Sequence, residues 1–287
     1  MGSAGNVVIT SANSTTASML IPRLKVKGYH TIGLIRRPAA IGADEVITDW
    51  MNSATAKNAL ARADYIIHLS GDANAKNKAS YVESNYTTTK LVADNVGKDR
   101  RQRIVYVSYA NAGIHQKNLY LRYKGEAENL LLYTGKEVVI FRCPVIIDAP
   151  GKASRMDDLF FSKKGKAVPA IGNGLQKMHP VYRNDVVNSI VASLEKGSPG
   201  IYELSGPEEI TINGFIQLVN QYPAVKIRHI PGWLVLILSR FMPGLSPTFV
   251  DLMLHHSDSF YTPDTYREFG IEPTSISRLW SNKSIHD

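Results

Sequence analysis

A single cysteine, Cys143, in a chain of 287 residues excludes an intramolecular disulfide and any cysteine-based metal cluster. A reducing compartment is the simplest setting for such a chain, and a cytoplasmic location is the expectation. Long apolar runs are absent too. The most hydrophobic stretch, Trp233 to Met242, is broken by Ser239 and Arg240 and bounded by Pro231 and Pro243, well short of the roughly 20 residues that span a bilayer. The opening residues, Met1 to Asn6, hold neither a basic nor an apolar leader region, so no secretion signal is expected. Dense basic runs are also missing. The net charge of +8 comes from scattered pairs such as Arg36-Arg37, Arg100-Arg101 and Lys163-Lys164, the pattern of a solvated surface, and no nucleic-acid partner is expected. Neither His68 nor His179 has a carboxylate or second histidine at ligand spacing, and the rings of His255-His256 would point apart on a helix, so no metal site is expected.

What is present is an alternation of short β-branched runs with longer amphipathic ones. The spacing predicts strands at Val7–Thr10, Thr31–Ile35, Glu45–Thr48, Tyr65–Leu69, Ile104–Val107 and Val138–Phe141. Helices are expected between them at Thr15–Lys27, Ala54–Arg62, Val82–Val96 and Leu121–Tyr133, with Gly28 and Gly135 as stops. Strand–helix alternation of this kind builds a parallel sheet from βαβ units. After Pro150 the rhythm changes, and shorter elements are expected at Asp185–Glu195, Ile201–Leu204, Ile212–Asn220 and Trp233–Phe241. The organisation read from this is a core over 1–150 and a mixed α/β region over 151–287 that includes a smaller lobe and partly returns to the core.

Several segments carry chemistry in an ordered series. The first strand runs into Thr10-Ser11-Ala12-Asn13-Ser14-Thr15-Thr16-Ala17, a small-residue turn leading into a helix. Then come Asp64-Tyr65-Ile66-Ile67-His68-Leu69-Ser70-Gly71, Asn85 followed by Tyr86-Thr87-Thr88-Thr89, and Ile104-Val105-Tyr106-Val107-Ser108. Tyr120 and Lys124 stand four apart on one helix face; Arg142-Cys143-Pro144-Val145-Ile146 and His179-Pro180-Val181-Tyr182-Arg183-Asn184-Asp185-Val186 follow. In order and spacing, over roughly residues 5–206, this series resembles the short-chain dehydrogenase/reductase superfamily, in its extended and atypical branches.

The resemblance implies an α/β Rossmann-type doubly wound parallel sheet with a small C-terminal substrate lobe. It implies Tyr120 as proton-exchanging group, Lys124 tuning it and touching the nicotinamide ribose, and Ser108 orienting the substrate oxygen, with Tyr123 as competitor in another register. In many relatives the active hydroxyl lies one or two positions further on, where Tyr109 and Ala110 stand, and Asn111 offers a polar substitute. Cofactor contacts implied are Thr10, Ser11, Asn13, Ser14, Thr15, Arg36, Arg37, Asp49, Leu69, Ser70, Gly71, Asn85, Lys124, Pro144 and Val145. The family's turn reads T-G-x-x-G-x-x-G, and its three glycines are Ser11, Ser14 and Ala17 here. Side chains therefore occupy the approach to the pyrophosphate, where they either crowd it or donate hydrogen bonds to it. No acid follows the second strand; Arg36 and Arg37 suit a 2′-phosphate, so NADP is expected, with NAD left open.

The function implied is an NAD(P)-dependent oxidoreductase or epimerase-like enzyme acting at a carbonyl or alcohol carbon of a small molecule, a nucleotide sugar among the candidates. The altered turn and displaced serine keep a second reading open: a catalytically degenerate dinucleotide-binding sensor or complex subunit. The apolar stretch Ile230–Leu254, with Trp233, Leu236, Ile237, Phe241, Phe249 and Leu252, either packs the lobe or meets a protein partner, a second copy or a membrane surface.

Overall fold

In a computed structural model of the chain, described over residues 4–150, 160–162, 166–220, 225–242, 244–254 and 260–281, the first strand alternates its burial between two layers. β1 (Asn6–Thr10) sends Val7 and Ile9 into one apolar cluster and Val8 into another. A strand with both faces covered reads as a continuous β-branched run and belongs inside a parallel sheet. α1 (Thr15–Val26) lays Leu20, Ile21 and Leu24 on the first face. It is closed by Gly28, whose φ of 85° suits a residue without Cβ.

β2 (His30–Leu34), β3 (Glu45–Ile47), α2 (Ala54–Arg62) and β4 (Tyr65–His68) follow. The next helical stretch, expected as one helix from Val82, begins earlier and is interrupted: α3 (Lys78–Tyr81), a π-helical turn (Val82–Thr87) and α4 (Thr88–Asp94). β5 (Arg103–Tyr109), α5 (Leu119–Leu132) and β6 (Glu137–Cys143) complete the first half.

Beyond it lie β7 (Ile146–Ile147), β8 (Val168–Ile171), β9 (Lys177–Met178), β10 (Val181–Tyr182), α6 (Arg183–Ala192) and β11 (Gly200–Glu203). β12 (Ile210–Thr211), α7 (Ile212–Asn220), β13 (Ile227–Ile230), α8 (Gly232–Leu238), α9 (Pro247–Leu254), α10 (Pro263–Phe269) and α11 (Ile276–Ser281) end the described chain. The expected pairs Lys163-Lys164 and His255-His256 lie outside the described residues.

The main sheet has seven strands in the order β11-β6-β5-β4-β1-β2-β3, every neighbouring pair parallel. The order reverses between β1 and β4, and in open sheets of this kind ligands bind outside the carboxyl ends of the strands at that point. α1 and α6 cover one face; Leu60, Val92, Ala127 and Leu131 of α2, α4 and α5 cover the other. A separate cluster including Phe160, Met178, Phe215, Ile216 and Trp280 centres on α7 and three short strand pairs.

Candidate functional site

The turn after β1 keeps a glycine-like path without glycine. Ser11 sits at φ 50°, the left-handed region, and Ala12 N–H reaches back to Leu34 O at the end of β2. Ser14 caps α1, its Oγ accepting from Ala17 N–H at 3.2 Å, while Asn13 and Thr15 are exposed beside it. A serine at this position does what N-caps do, satisfying one of the free amides of the first turn.

Behind the turn a buried line of hydrogen bonds runs across β1 and β4 to α4, and its polarity can be worked out. Burial pulls His68 down to about 3, so the ring is neutral and carries one N–H. Thr89 Oγ1 donates to Asn85 O (2.9 Å), which leaves it to accept from His68 Nε2–H (2.8 Å). His68 Nδ1 then accepts from Thr10 Oγ1 (2.8 Å), and Thr10 Oγ1 accepts from Leu69 N–H and from Ser70 Oγ, both at 3.1 Å. With its proton committed, Ser70 Oγ accepts from Ser11 Oγ at 3.0 Å. Each hydroxyl proton points inward, and Ser11 turns only lone pairs outward.

Past Ser70 the loop after β4 is clamped by Asn85, fully buried in the π-helical turn. Its Oδ1 accepts from Asp72 N–H (3.1 Å) and its Nδ2 donates to Asp72 O (3.2 Å) and Tyr81 O (3.1 Å). Gly71 lies against this clamp. A methyl group there would come within 3.1 Å of Asn85 Oδ1 and 3.2 Å of Lys124 Nζ, so glycine keeps a cradle open between loop, π turn and α5.

Lys124 is 3% exposed, donates to Val107 O at 2.8 Å and lies 4.3 Å from the centre of the Tyr106 ring. Burial pulls its ammonium down to about 7. Tyr120, one turn earlier, is pushed well above the ordinary phenol range by burial and by the neighbouring Tyr109 and Tyr106. The Lys124 ammonium is not among the groups that move it; burial and its neighbours keep the Tyr120 phenol protonated. Tyr109 packs edge-on against it at 5.3 Å, its own phenol pushed up to about 12 by burial. Tyr123 joins Tyr81 in the apolar cluster beside α3.

Ser108 faces elsewhere. Its Oγ donates to Glu128 Oε1 at 2.5 Å, and Glu128 also holds Arg142 through bonds of 3.0 and 2.6 Å. Its hydroxyl is engaged in a structural ion-pair cluster on α5 and β6. Tyr109, Ala110 and Asn111 line a cleft of about 660 Å³ between the sheet edge and the C-terminal lobe. Val145, Phe160, Met178 and Leu252 supply apolar wall, with Pro144 buried beside Val145. Asn118, which sequence reasoning passed over, caps α5 through Oδ1 and ties it to α9 by donating to Asp251 Oδ2 and Thr248 O. An asparagine immediately before a helical run was the available signal.

At the other end, Arg36 and Arg37 are exposed just beyond β2, Arg36 Nη1 3.9 Å from Glu83 Oε1. Asp49, at φ 45° after β3, is held by the Asn52 amide. Arg36, Arg37 and Asp49, the turn after β1 and the loop after β4 thus follow the carboxyl ends of neighbouring strands; Ser108 points into the ion-pair cluster instead. No cluster that could hold a metal exists among the described residues.

Residues 7–205 match the model of the NAD dependent epimerase/dehydratase family. Similar folds include MoeE5 in complex with UDP-glucose and NAD (TM-score 0.75, 17% identity, 98% of this chain and 100% of that one). UDP-glucuronic acid 4-epimerase from Bacillus cereus in complex with NAD gives 0.71, at 16% identity and 96% of both chains. A short-chain dehydrogenase/reductase superfamily protein from Agrobacterium tumefaciens with bound NAD gives 0.74, at 14% identity, covering 97% and 95%. In sequence, the chain is 29% identical over 168 residues to NADH dehydrogenase [ubiquinone] 1 alpha subcomplex subunit 9, mitochondrial, from Arabidopsis thaliana. That match takes in 57% of this chain and 41% of the relative's length.

Proposed function

The chain belongs to the NAD dependent epimerase/dehydratase family, and from that premise we propose that it binds NAD(P)(H) along the carboxyl edge of its sheet and exchanges a proton with a small carbonyl or alcohol substrate through Tyr120. The observation that carries this reading is the close approach of Gly71, Asn85 and Lys124, where an added methyl would press on Asn85 Oδ1 at 3.1 Å and Lys124 Nζ at 3.2 Å. When bound, the nicotinamide supplies hydride exchange. Lys124 would hold the ribose hydroxyls, and its low basicity leaves it able to donate or accept there near neutral pH. Tyr120, a neutral phenol, suits protonation of a developing alkoxide better than abstraction of a proton. The cleft that opens from Tyr109, with Asn111, Gln176 and Lys177 beside its apolar wall, would receive the substrate. Arg36 and Arg37 favour NADPH through its 2′-phosphate.

A second reading, a dinucleotide-holding sensor or subunit without turnover, is favoured by the commitment of Ser108 to Glu128. The similarity to a protein whose name places it in NADH dehydrogenase supports the same reading. Calorimetric titration with NADPH and NADH tests the common ground: binding is expected, weakened at least about tenfold by Lys124→Met, and absence of binding to either overturns both readings. Deuteride transfer from 4-deuterated NADPH to a panel of ketones and aldehydes, or from a carbinol-deuterated nucleotide sugar to NADP+, then separates an enzyme from a subunit.

A further inference from the structure

Between Glu209 and Asp251 the chain holds no acidic residue, while Lys226, Arg228 and Arg240 fall within that span. The same span carries a group of exposed large apolar side chains. On α8 and the turn after it, Trp233 is 65% exposed and Phe241 80%, and Ile237, Leu238 and Met242 are each more than two-fifths exposed. Trp233 and Ile237 stand four residues apart on one face of α8, and Phe241 follows, exposed, in the turn beyond it. Only Val235 of α8 is buried.

This apolar tip, α8 and the turn after it, is a supported feature of the fold. Gly232 packs α8 onto Leu254 of α9, where a methyl group would lie 2.6 Å from Leu254 Cδ2. The following loop is tied to the core by Asn74, whose Nδ2 donates to Gly244 O and whose Oδ1 accepts from Ser246 N–H. Beside it a recess of about 580 Å³ is lined by Lys76, Arg240, Phe241 and Met242 among others, and by no acid. Aromatic and aliphatic side chains flanked by the cations Lys76 and Arg240, with no acid among them, match the region where lipid headgroups meet acyl chains: the apolar side chains enter, and the cations meet phosphate. A second copy of the same tip would set cation against cation, and it offers no acid to pair with them. No helix of the described residues is long and apolar enough to cross a membrane, so the contact would lie in the interface plane.

We propose that α8 and the turn Ser239–Met242 form a docking tip for an anionic lipid surface, with Trp233, Ile237 and Phe241 inserting and Lys76 and Arg240 pairing with headgroup phosphates. α9, on which α8 rests, carries Leu252 and Met253 in the wall of the cleft. A protein docked this way holds its apolar cleft one helix from the lipid.

The full chain is mixed with vesicles of phosphatidylcholine alone or containing about one third phosphatidylglycerol, without dinucleotide, so that the result is independent of cofactor binding. Because Trp50 and Trp280 are 2% and 1% exposed, a change in tryptophan emission on docking reports Trp233. A blue shift and co-sedimentation are expected with the anionic vesicles only, falling with added salt and weakened at least about tenfold in Ile237→Ser/Phe241→Ser. Arg240→Glu, which leaves the apolar side chains in place, should lose the preference for anionic lipid. No binding to either vesicle overturns the proposal, as does anionic binding that both variants retain. So does concentration-dependent dimerisation in ultracentrifugation that the double variant abolishes, which would assign the tip to a second copy.

Discussion

At the scale of single residues, Ser11 decides between the two roles open to a serine in a phosphate-binding turn. Its proton is spent on Ser70, and the chain of donors behind it runs one way to His68. A pyrophosphate oxygen approaching Ser11 would meet lone pairs and a Cβ, and neither helps an anion. Ser11→Gly is therefore expected to tighten NADPH several-fold in calorimetry. The same change removes a left-handed non-glycine residue, whose conformation costs roughly 1–2 kcal/mol. Weaker binding would mean that the hydroxyl turns round to donate. Ser14 differs, because its Oγ already accepts from Ala17 N–H as the cap of α1. Ser14→Gly should cost helix stability by a few tenths of a kcal/mol and change affinity little. The preference for NADPH over NADH is a second test at this scale: Arg36→Ala with Arg37→Ala should diminish it, and equal affinities in the unaltered protein would count against the guanidinium reading.

Among the elements, the π-helical turn at Val82–Thr87 places Asn85 where a regular helix would not. Sequence periodicity reads this stretch as one helix, since a single added residue in a turn shifts the pattern without breaking it. Asn85 offsets the local loss by bonding Tyr81 O, one turn back, and both backbone groups of Asp72. Asn85→Ala leaves Asp72 N–H and its partners unsatisfied next to the cradle. The expected cost is about 2–3 kcal/mol in urea unfolding, together with loss of dinucleotide binding. Gly71→Ala should separate the two effects, lowering affinity through contact with Lys124 Nζ with little change in the unfolding midpoint.

What the sequence made legible at this scale follows from locality. Ala54–Arg62 and Ile212–Asn220 are readable to the residue because the apolar spacing that marks each lies within the element. Glu128 meeting Ser108 and Arg142, or Asn118 meeting Asp251 across 133 positions, depends on packing that no local pattern encodes. The cleft wall was illegible for the same reason, Tyr109, Val145, Met178 and Leu252 coming from four separate segments. The apolar stretch after Ile230 was legible as apolar, yet its division into buried Phe249 and exposed Trp233 and Phe241 needed α9 in place.

For the molecule as a whole, two buried bases at the site make stability depend on pH in two windows of the same sign. His68 holds its proton only below about 3 in the native state but below 6.5 when unfolded. Between those values the unfolded chain binds the extra proton, so stability is fully present above 6.5 and falls as pH drops, by up to about 1.4 kcal/mol per pH unit. Lys124 shifts from 10.5 to about 7 on folding. From 7 towards 10 the unfolded chain again binds more proton, and stability should rise with pH. The buried tyrosines, raised on folding, act oppositely, but only above their ordinary value near 10. Urea unfolding at pH 4.5, 5.5, 6.5, 7.5 and 9 is the measurement. The acid-side loss should flatten in His68→Asn and the alkaline rise should flatten in Lys124→Met, each variant leaving the other window intact. An alkaline rise that persists in Lys124→Met would mean the ammonium is solvated in the native protein, and with it the account of Tyr120 as a proton donor unassisted by charge would fall.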